Sequence, residues 1–200
     1  MSSDMSTPLC PKTMTERKQQ IVQTAIEIIA DEGYGSLSMR ALARASGMKL
    51  GALKYHFRTS EEMLRAIVGY VGESYRQSFD RFQNRDNPPG IREIVMFLLK
   101  DEAGDTMFGD RLLPQLWAME QVEPLVSDLL EDVYATYLTI LEEALEAEGN
   151  SAPRAEALCL MSLVEGSTIF MGSGRRWEGD AKAFVDTVLE FIDNRYGEKS

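Results

Sequence analysis

Apolar residues recur along most of this chain with the spacing of three and four residues that amphipathic helices show. Between Thr15 and Asp31 they form one such stripe, which Gly33 ends. No segment alternates apolar and polar residues with the period of two expected for a half-buried strand. The pattern therefore predicts an all-α fold. The predicted helical segments are 15–31, 38–45, 49–57, 59–82, 91–103, 111–120, 124–148, 154–172 and 181–195.

Capping and helix-breaking residues mark the ends of several segments. Thr59 and Glu62 have the spacing of a capping box at the start of a long helix. Pro124 suits the first turn of another helix, and Gly149 suits its end. Two prolines within 84–90 predict a loop. These signals support helical units joined by short connections.

Two short helical segments near the N-terminus, joined by a turn at Gly47, have the layout of a helix-turn-helix. Their apolar positions are spaced to pack against Ile21, Ile28 and Ile29 of the first helix; these positions are Leu42, Ala43, Met48 and Leu53. We therefore expect three parts: a mobile N-terminal tail at 1–13, a three-helix helix-turn-helix domain at 14–60, and a C-terminal helical domain for ligand binding and dimerisation at 61–200.

The net charge of −11 is distributed unevenly along the chain. Residues 1–60 carry eight basic and five acidic side chains, whereas the remainder carries 13 basic and 27 acidic ones. Five basic residues and no acidic residue lie between Ser38 and Arg58. A basic patch on an acidic body favours local phosphate binding. A solvated charged face is the alternative.

Several other classes of protein fit poorly. His56 is the only histidine, and the two cysteines, Cys10 and Cys159, form no disulfide framework or metal-ligand cluster. We expect no metal, cofactor or enzymatic activity, because no nucleophile, base and acid have a recognisable arrangement. No apolar run reaches the ~20 residues of a membrane span, and residues 1–13 lack the apolar core of a signal peptide. These features predict a cytoplasmic protein.

Residues 37–57, LSMRALARASGMKLGALKYHF, followed by EEML at 61–64, resemble the DNA-binding signature of the tetracycline-repressor (TetR) family. The LKYHF element at 53–57 is the most specific part of this match. The resemblance covers about residues 15–64, while the body resembles the family in length and helix layout. It implies a homodimeric transcriptional regulator that binds double-stranded DNA.

The resemblance also assigns roles to individual residues. Ser38 would contact a phosphate, and Arg40 would reach the edge of a guanine. The DNA-binding residues implied are Ser38, Arg40, Lys49, Leu50, Gly51, Ala52, Lys54, Tyr55 and His56. Residues 49–52 would enter the major groove, and residues 54–56 would lie at its rim. Lys49, Lys54 and Ser60 depart from residues common in the family, which leaves the operator sequence open.

The family's body holds a ligand cavity among its central helices, so apolar and aromatic residues there are candidates for its lining. Those we select are Phe108, Trp117, Tyr134, Tyr137, Met161, Glu165 and Phe170. Further candidates are Met107, Leu116, Met119 and Trp177. Residues of this type at helical spacing are equally expected in a plain hydrophobic core.

Glu165 interrupts a markedly apolar helix, and a carboxylate in such a place needs a partner. A hydrogen bond or ion pair at an interface, with Arg154, Arg175 or Arg176, is one interpretation. A polar anchor for the ligand, which could be a cation near Trp117 and the tyrosines, is the other.

Segment 154–172 is too apolar for a monomer's surface, and we expect it to form a four-helix dimer interface together with segment 181–195. The overall prediction is a repressor that a small-molecule effector releases from a palindromic operator. Two alternatives are a small-molecule carrier with a relic helix-turn-helix and a helical adaptor for protein partners. The basic, acid-free segment argues against both.

Overall fold

The computed structural model describes residues 14–83, 88–99, 109–172 and 174–197. In these ranges the regular elements are all helical, which confirms the all-α prediction. The helices are α1 (Glu16–Glu32), α2 (Met39–Ala45), α3 (Leu50–His56), α4 (Ser60–Gln83), α5 (Ile91–Leu99), α6 (Gly109–Glu120), α7 (Pro124–Ala147), α8 (Pro153–Met171) and α9 (Ala181–Tyr196). Single turns of 3₁₀ helix lie at Tyr34–Ser36 and Glu178–Asp180.

The predicted caps are present at both ends of the first helix and at the start of α4. The Thr15 hydroxyl accepts a hydrogen bond from the backbone N–H of Lys18. Gly33 ends α1 with a φ of 85°, a conformation that favours glycine. Thr59 accepts from the N–H of Glu62, whose carboxylate accepts from the N–H of Arg58. Local side-chain hydrogen bonds therefore fix where these helices begin.

A first hydrophobic core unites α1, α2, α3 and the N-terminal half of α4 with α6 and the start of α7. Leu42 and Leu53 are fully buried in it beside Ile21 and Ile29, as their spacing predicted. The core continues through α4 as far as Val71. Helices α1, α2 and α3 therefore share their core with the body.

A second core lies among α5, the C-terminal half of α7, α8 and α9. The two 24-residue helices, α4 and α7, each contribute to both cores. At 1.5 Å per residue each helix is about 36 Å long, so the two helices together connect the first core with the second. No helix in the described ranges is long and apolar enough to cross a membrane.

Candidate DNA-binding surface and central cavity

The turn between α2 and α3 sets the orientation of α3. Gly47 has a φ of 64°, and the N–H of the next residue, Met48, donates to the carbonyl oxygen of Ala43 at 2.8 Å. Lys49 then begins α3 with extended backbone and no side-chain capping bond. The turn is compact because glycine adopts the left-handed region without strain.

Two buried residues, Leu53 and Phe57, anchor one face of α3. The opposite face lies open, and Tyr55 is 87% exposed there with its ring edge-on to His56. A Cβ atom added to Gly51 would meet nothing within 4 Å. Of the predicted DNA-binding residues, the exposed ones are Ser38, Arg40, Lys49, Gly51, Ala52, Lys54 and Tyr55, and the half-buried ones are Leu50 and His56. All nine therefore lie on α2, α3 and their N-cap positions, and seven of them are exposed.

The basic side chains of this surface lack intramolecular counter-charges. Within the described ranges, none of the five forms an ion pair or side-chain hydrogen bond; they are Arg40, Arg44, Lys49, Lys54 and Arg58. Their charge therefore remains available to phosphates, which lose counterions when a protein cation replaces them.

Ser38 combines a structural role with its proposed contact. Its hydroxyl oxygen accepts from the N–H of Ala41 at 3.1 Å and thereby caps α2. A serine hydroxyl retains its own proton as a donor while its oxygen accepts. Ser38 can therefore hold α2 in place and donate to a phosphate at the same time.

A cavity of about 60 Å³ lies among α4, α5, α6, α7 and α8. Four of the seven selected ligand-binding residues line it: Tyr134, Tyr137, Met161 and Glu165. The other lining residues are Tyr75, Leu98, Leu99, Leu113, Leu130, Val133, Val164, Ser167 and Thr168. The cavity is therefore mostly apolar, with a carboxylate in its wall.

Trp117 lies behind the cavity wall instead of lining it. Its indole Nε1–H donates to the Tyr134 hydroxyl oxygen at 2.8 Å, and that hydroxyl is hydrogen-bonded to Glu165. Burial, together with the negative charge of Glu165, raises the pKa of Tyr134 above its usual range. Tyr134 therefore stays protonated and donates to the carboxylate.

The expectation of an arginine beside Glu165 is not matched at Arg154, which is ion-paired with Glu142 instead. The guanidinium of Arg176 lies over the ring of Trp177. One partner of Glu165 is Tyr134, which lies on a different helix.

Phe170 does not line the cavity, contrary to our selection. It is 55% exposed and packs edge-on against Trp177, with ring centroids 6.1 Å apart. Five residues separate it from Glu165, which turns it about 140° around α8, so the two side chains leave the helix on different faces. Phe108 and Met107 lie outside the described residues.

The family described as "Bacterial regulatory proteins, tetR family" matches residues 21–67, a range that contains α2, α3 and the start of α4. The chain carries the N-terminal domain of this family at these residues. It is a DNA-binding transcriptional regulator with an N-terminal helix-turn-helix and a helical C-terminal domain, and not a member of an enzyme family.

Similar proteins agree with this assignment. The regulator is 26% identical over 162 residues to the nucleoid occlusion factor SlmA of Vibrio cholerae, covering 76% of this chain and 81% of that protein. It is 29% identical over 77 residues to the transcriptional repressor KstR2 of Mycolicibacterium smegmatis. This match covers 36% of this chain and 38% of KstR2. The fold resembles that of a transcriptional regulator from Saccharomonospora viridis crystallised with choline, with a TM-score of 0.73 and 19% sequence identity. The match covers 93% of this chain and 100% of that one.

The regulator has basic residues near the helix-turn-helix that the motif did not single out. Arg17 on α1 donates to the Ser46 carbonyl oxygen, at 3.5 Å, beside the turn between α2 and α3. Lys18 lies over the Phe57 ring, 5.2 Å from its centroid. Both residues lie in the first turn of α1, far from the motif in sequence, and tertiary packing brings them close to the motif.

An exposed apolar face covers α8 and α9 of the regulator. Leu158, Leu163, Ile169 and Phe191 are all exposed there, and Phe170 lies on the same helix as the first three. A Cβ atom at Gly166 would meet nothing within 4 Å in the single chain. Such a face costs free energy in water and marks an interaction site.

Proposed function

We propose that this regulator is a repressor that leaves a palindromic operator when a small molecule occupies the central cavity. The observation that carries the DNA-binding part is the open, acid-free face of α2 and α3 with its uncompensated cations. KstR2, to which 36% of the chain is similar, is named as a repressor.

In this proposal the residues of this surface contact different parts of the DNA. Lys49 and Lys54 bind phosphates, and residues 50–52, which include two small exposed side chains, enter the major groove. Arg40 reads a guanine through its N7 and O6 atoms. Tyr55 and His56 contact the rim of the groove.

The exposed apolar face of α8 and α9 makes the repressor a homodimer in this proposal. Segments 154–172 and 181–195 of two copies pack as a four-helix bundle about a two-fold axis. The dimer then presents two copies of α3, which must lie about 34–36 Å apart to reach successive major grooves. This symmetry is what requires a palindromic operator.

Helix α6 connects the cavity with the DNA-binding helices. Leu112, Leu116 and Met119 are buried in the core shared with α1, whereas Trp117 on the same helix bonds to Tyr134 at the cavity. Tyr34, just after α1, also bonds to Glu123, just after α6. A ligand that binds one body geometry better than another therefore changes the placement of α1 to α3 and shifts the population away from DNA.

The test begins with selection of bound duplexes from a random DNA library by the purified protein at fixed salt. We expect enrichment of a palindrome whose half-site centres lie about one helical turn apart. Competition with small molecules against the selected duplex then measures release. Failure to enrich any sequence would contradict the proposed repressor, and enrichment of an asymmetric single site would contradict the dimeric palindrome model.

A further inference from the structure

Arg17, in the first turn of α1, is an exposed basic residue that lies beside the turn between α2 and α3 but outside the helix-turn-helix motif. Its Nη2 group donates to the Ser46 carbonyl oxygen at 3.5 Å, and its Nη1 group donates to the Gln20 side-chain oxygen at 3.0 Å. Both acceptors are neutral. They therefore orient the guanidinium without cancelling its positive charge.

The charge of Arg17 has no counter-charge in the part of the chain that the structure describes. Arg17 forms no ion pair there, although an acidic residue, Glu16, precedes it. Arg111, which contacts the other end of α1, is instead paired with Asp31. Arg17 therefore resembles the five unpaired cations between residues 38 and 58, and not the paired cations of the body.

The guanidinium of Arg17 keeps donors for a further acceptor. A guanidinium has five N–H donors in a fixed plane, and the bonds to Gln20 and Ser46 use two of them. The remaining donors suit a phosphate, which accepts two parallel bonds from arginine. Because the existing bonds already hold the side chain, binding a phosphate costs it less conformational freedom than it costs a freely rotating side chain.

The first turn of α1 runs alongside α3. Arg17 contacts Ser46, three residues before Lys49 at the start of α3. Lys18 lies over the ring of Phe57, at the end of α3. Three residues of chain span at most about 11 Å, and the major groove is about 12 Å wide. Arg17 therefore lies within about one groove width of the end of α3 that enters the DNA in the proposed function.

We infer that Arg17 binds a backbone phosphate of the operator, so that the DNA-binding surface extends from α2 and α3 onto the start of α1. The inference rests on the DNA-binding part of the proposed function. A phosphate contact carries no base information, so Arg17 strengthens binding to all sequences and helps to fix the orientation of α3 in the groove. The alternative role is a structural tie between α1 and the turn.

The first test is the salt dependence of binding to the selected duplex. Arg17→Gln should reduce the slope of log K against log salt by about 0.9 for each half-site, because one phosphate contact is lost. Arg65→Gln removes the same charge from a position on α4 that is paired with Glu61, and it should change the slope by less than about 0.3. An unchanged slope in Arg17→Gln, or an equal reduction in both variants, would overturn the inference.

The second test separates phosphate binding from a structural tie. Arg17→Lys keeps the positive charge and should restore most of the slope, although lysine lacks the planar fork of arginine. Arg17→Gln should lower Tm by less than about 2 °C, because an exposed hydrogen bond stabilises a fold little. A lower Tm in both variants with an unchanged salt slope would make Arg17 a structural residue and overturn the inference.

Ethylation interference locates the contact. Ethylation of a phosphate removes its charge, so the phosphate bound by Arg17 is one whose ethylation weakens binding of the unaltered protein but not of Arg17→Gln. We expect one such phosphate in each half-site. Identical interference patterns in the two proteins would overturn this inference and leave the proposed function standing. Failure of the unaltered protein to bind any duplex would overturn both.

Discussion

The basic side chains of the DNA-binding surface and those of the helical body are in opposite electrostatic situations. The five between residues 38 and 58 form no ion pair within the described ranges, whereas seven between 65 and 195 each lie beside a carboxylate. In the body, Arg65 pairs with Glu61, Arg92 with Asp193 and Lys182 with Asp186. Exposed pairs of this kind stabilise a fold little, but they cancel each other's field.

This difference explains how a chain with a net charge of −11 can bind DNA. The body carries 27 acidic against 13 basic side chains, and seven of its described cations are paired, so its acidic excess repels DNA away from the recognition surface. The five uncompensated cations instead concentrate attraction on α2 and α3. The average charge of a protein therefore says less about its partners than the local pairing of its cations.

The largest effect expected concerns the body, which in this account contributes to DNA binding by dimerisation and not by charge. Gly166→Leu should obstruct the approach of two α8 helices and give a monomer in sedimentation. Operator affinity should fall by about 100-fold or more, because two linked half-sites become one. The single-chain fold should persist, since a Cβ atom at Gly166 meets nothing within 4 Å and leucine has the higher helix propensity. A dimeric variant with unchanged affinity would place the interface elsewhere.

A smaller expected effect distinguishes base contacts from phosphate contacts among the five unpaired basic residues of the DNA-binding surface. Arg40→Ala should cost about 1–3 kcal/mol at one base pair and relax preference there, if Arg40 contacts a guanine. Arg44→Ala serves as the control, because we expect Arg44 to be a solvated charge. Binding is measured over a panel of single-base operator variants. Uniform weakening across the panel would make Arg40 another phosphate contact.

The smallest expected effect concerns the ion-paired residues of the body and is measured as a change in thermal stability. Hydrogen bonds from Arg195 and Tyr196 lower the pKa of Glu156 to about 2 from its ordinary value of 4.5. A pKa lowered by folding stabilises the native state above pH 4.5, and this contribution disappears as the pH falls towards 2. Glu156→Gln should therefore lower Tm by about 2 °C at neutral pH and leave it unchanged near pH 2. The same decrease at both pH values would show that charge is not involved.

The sequence predicted the fold and its helix-turn-helix well because both depend on local signals. Helical periodicity, the capping box at Thr59 and Glu62, and the turn glycine Gly47 act over a few residues. The structure bears out the helical layout, and seven of the nine predicted contact residues are exposed. Their contacts with DNA remain predictions.

The sensing half was less predictable because its chemistry depends on contacts between distant residues. One partner of Glu165 is Tyr134, 31 residues earlier on another helix, and no local pattern identifies that pair. Phe170 was assigned to the cavity by residue type, but its position around α8 places it on the exposed face. Arg17 reaches the helix-turn-helix only through the packing of α1.

The salt dependence of operator binding tests the contrast between unpaired and paired cations most directly. The double variant Lys49→Gln/Lys54→Gln should weaken binding across all sequences and reduce the slope of log K against log salt by nearly ~2, since each lysine displaces about 0.9 counterion. The matched double variant Arg92→Gln/Lys182→Gln removes the same charge from paired positions in the body and should leave the slope unchanged. Equal slopes in all three proteins would contradict the account.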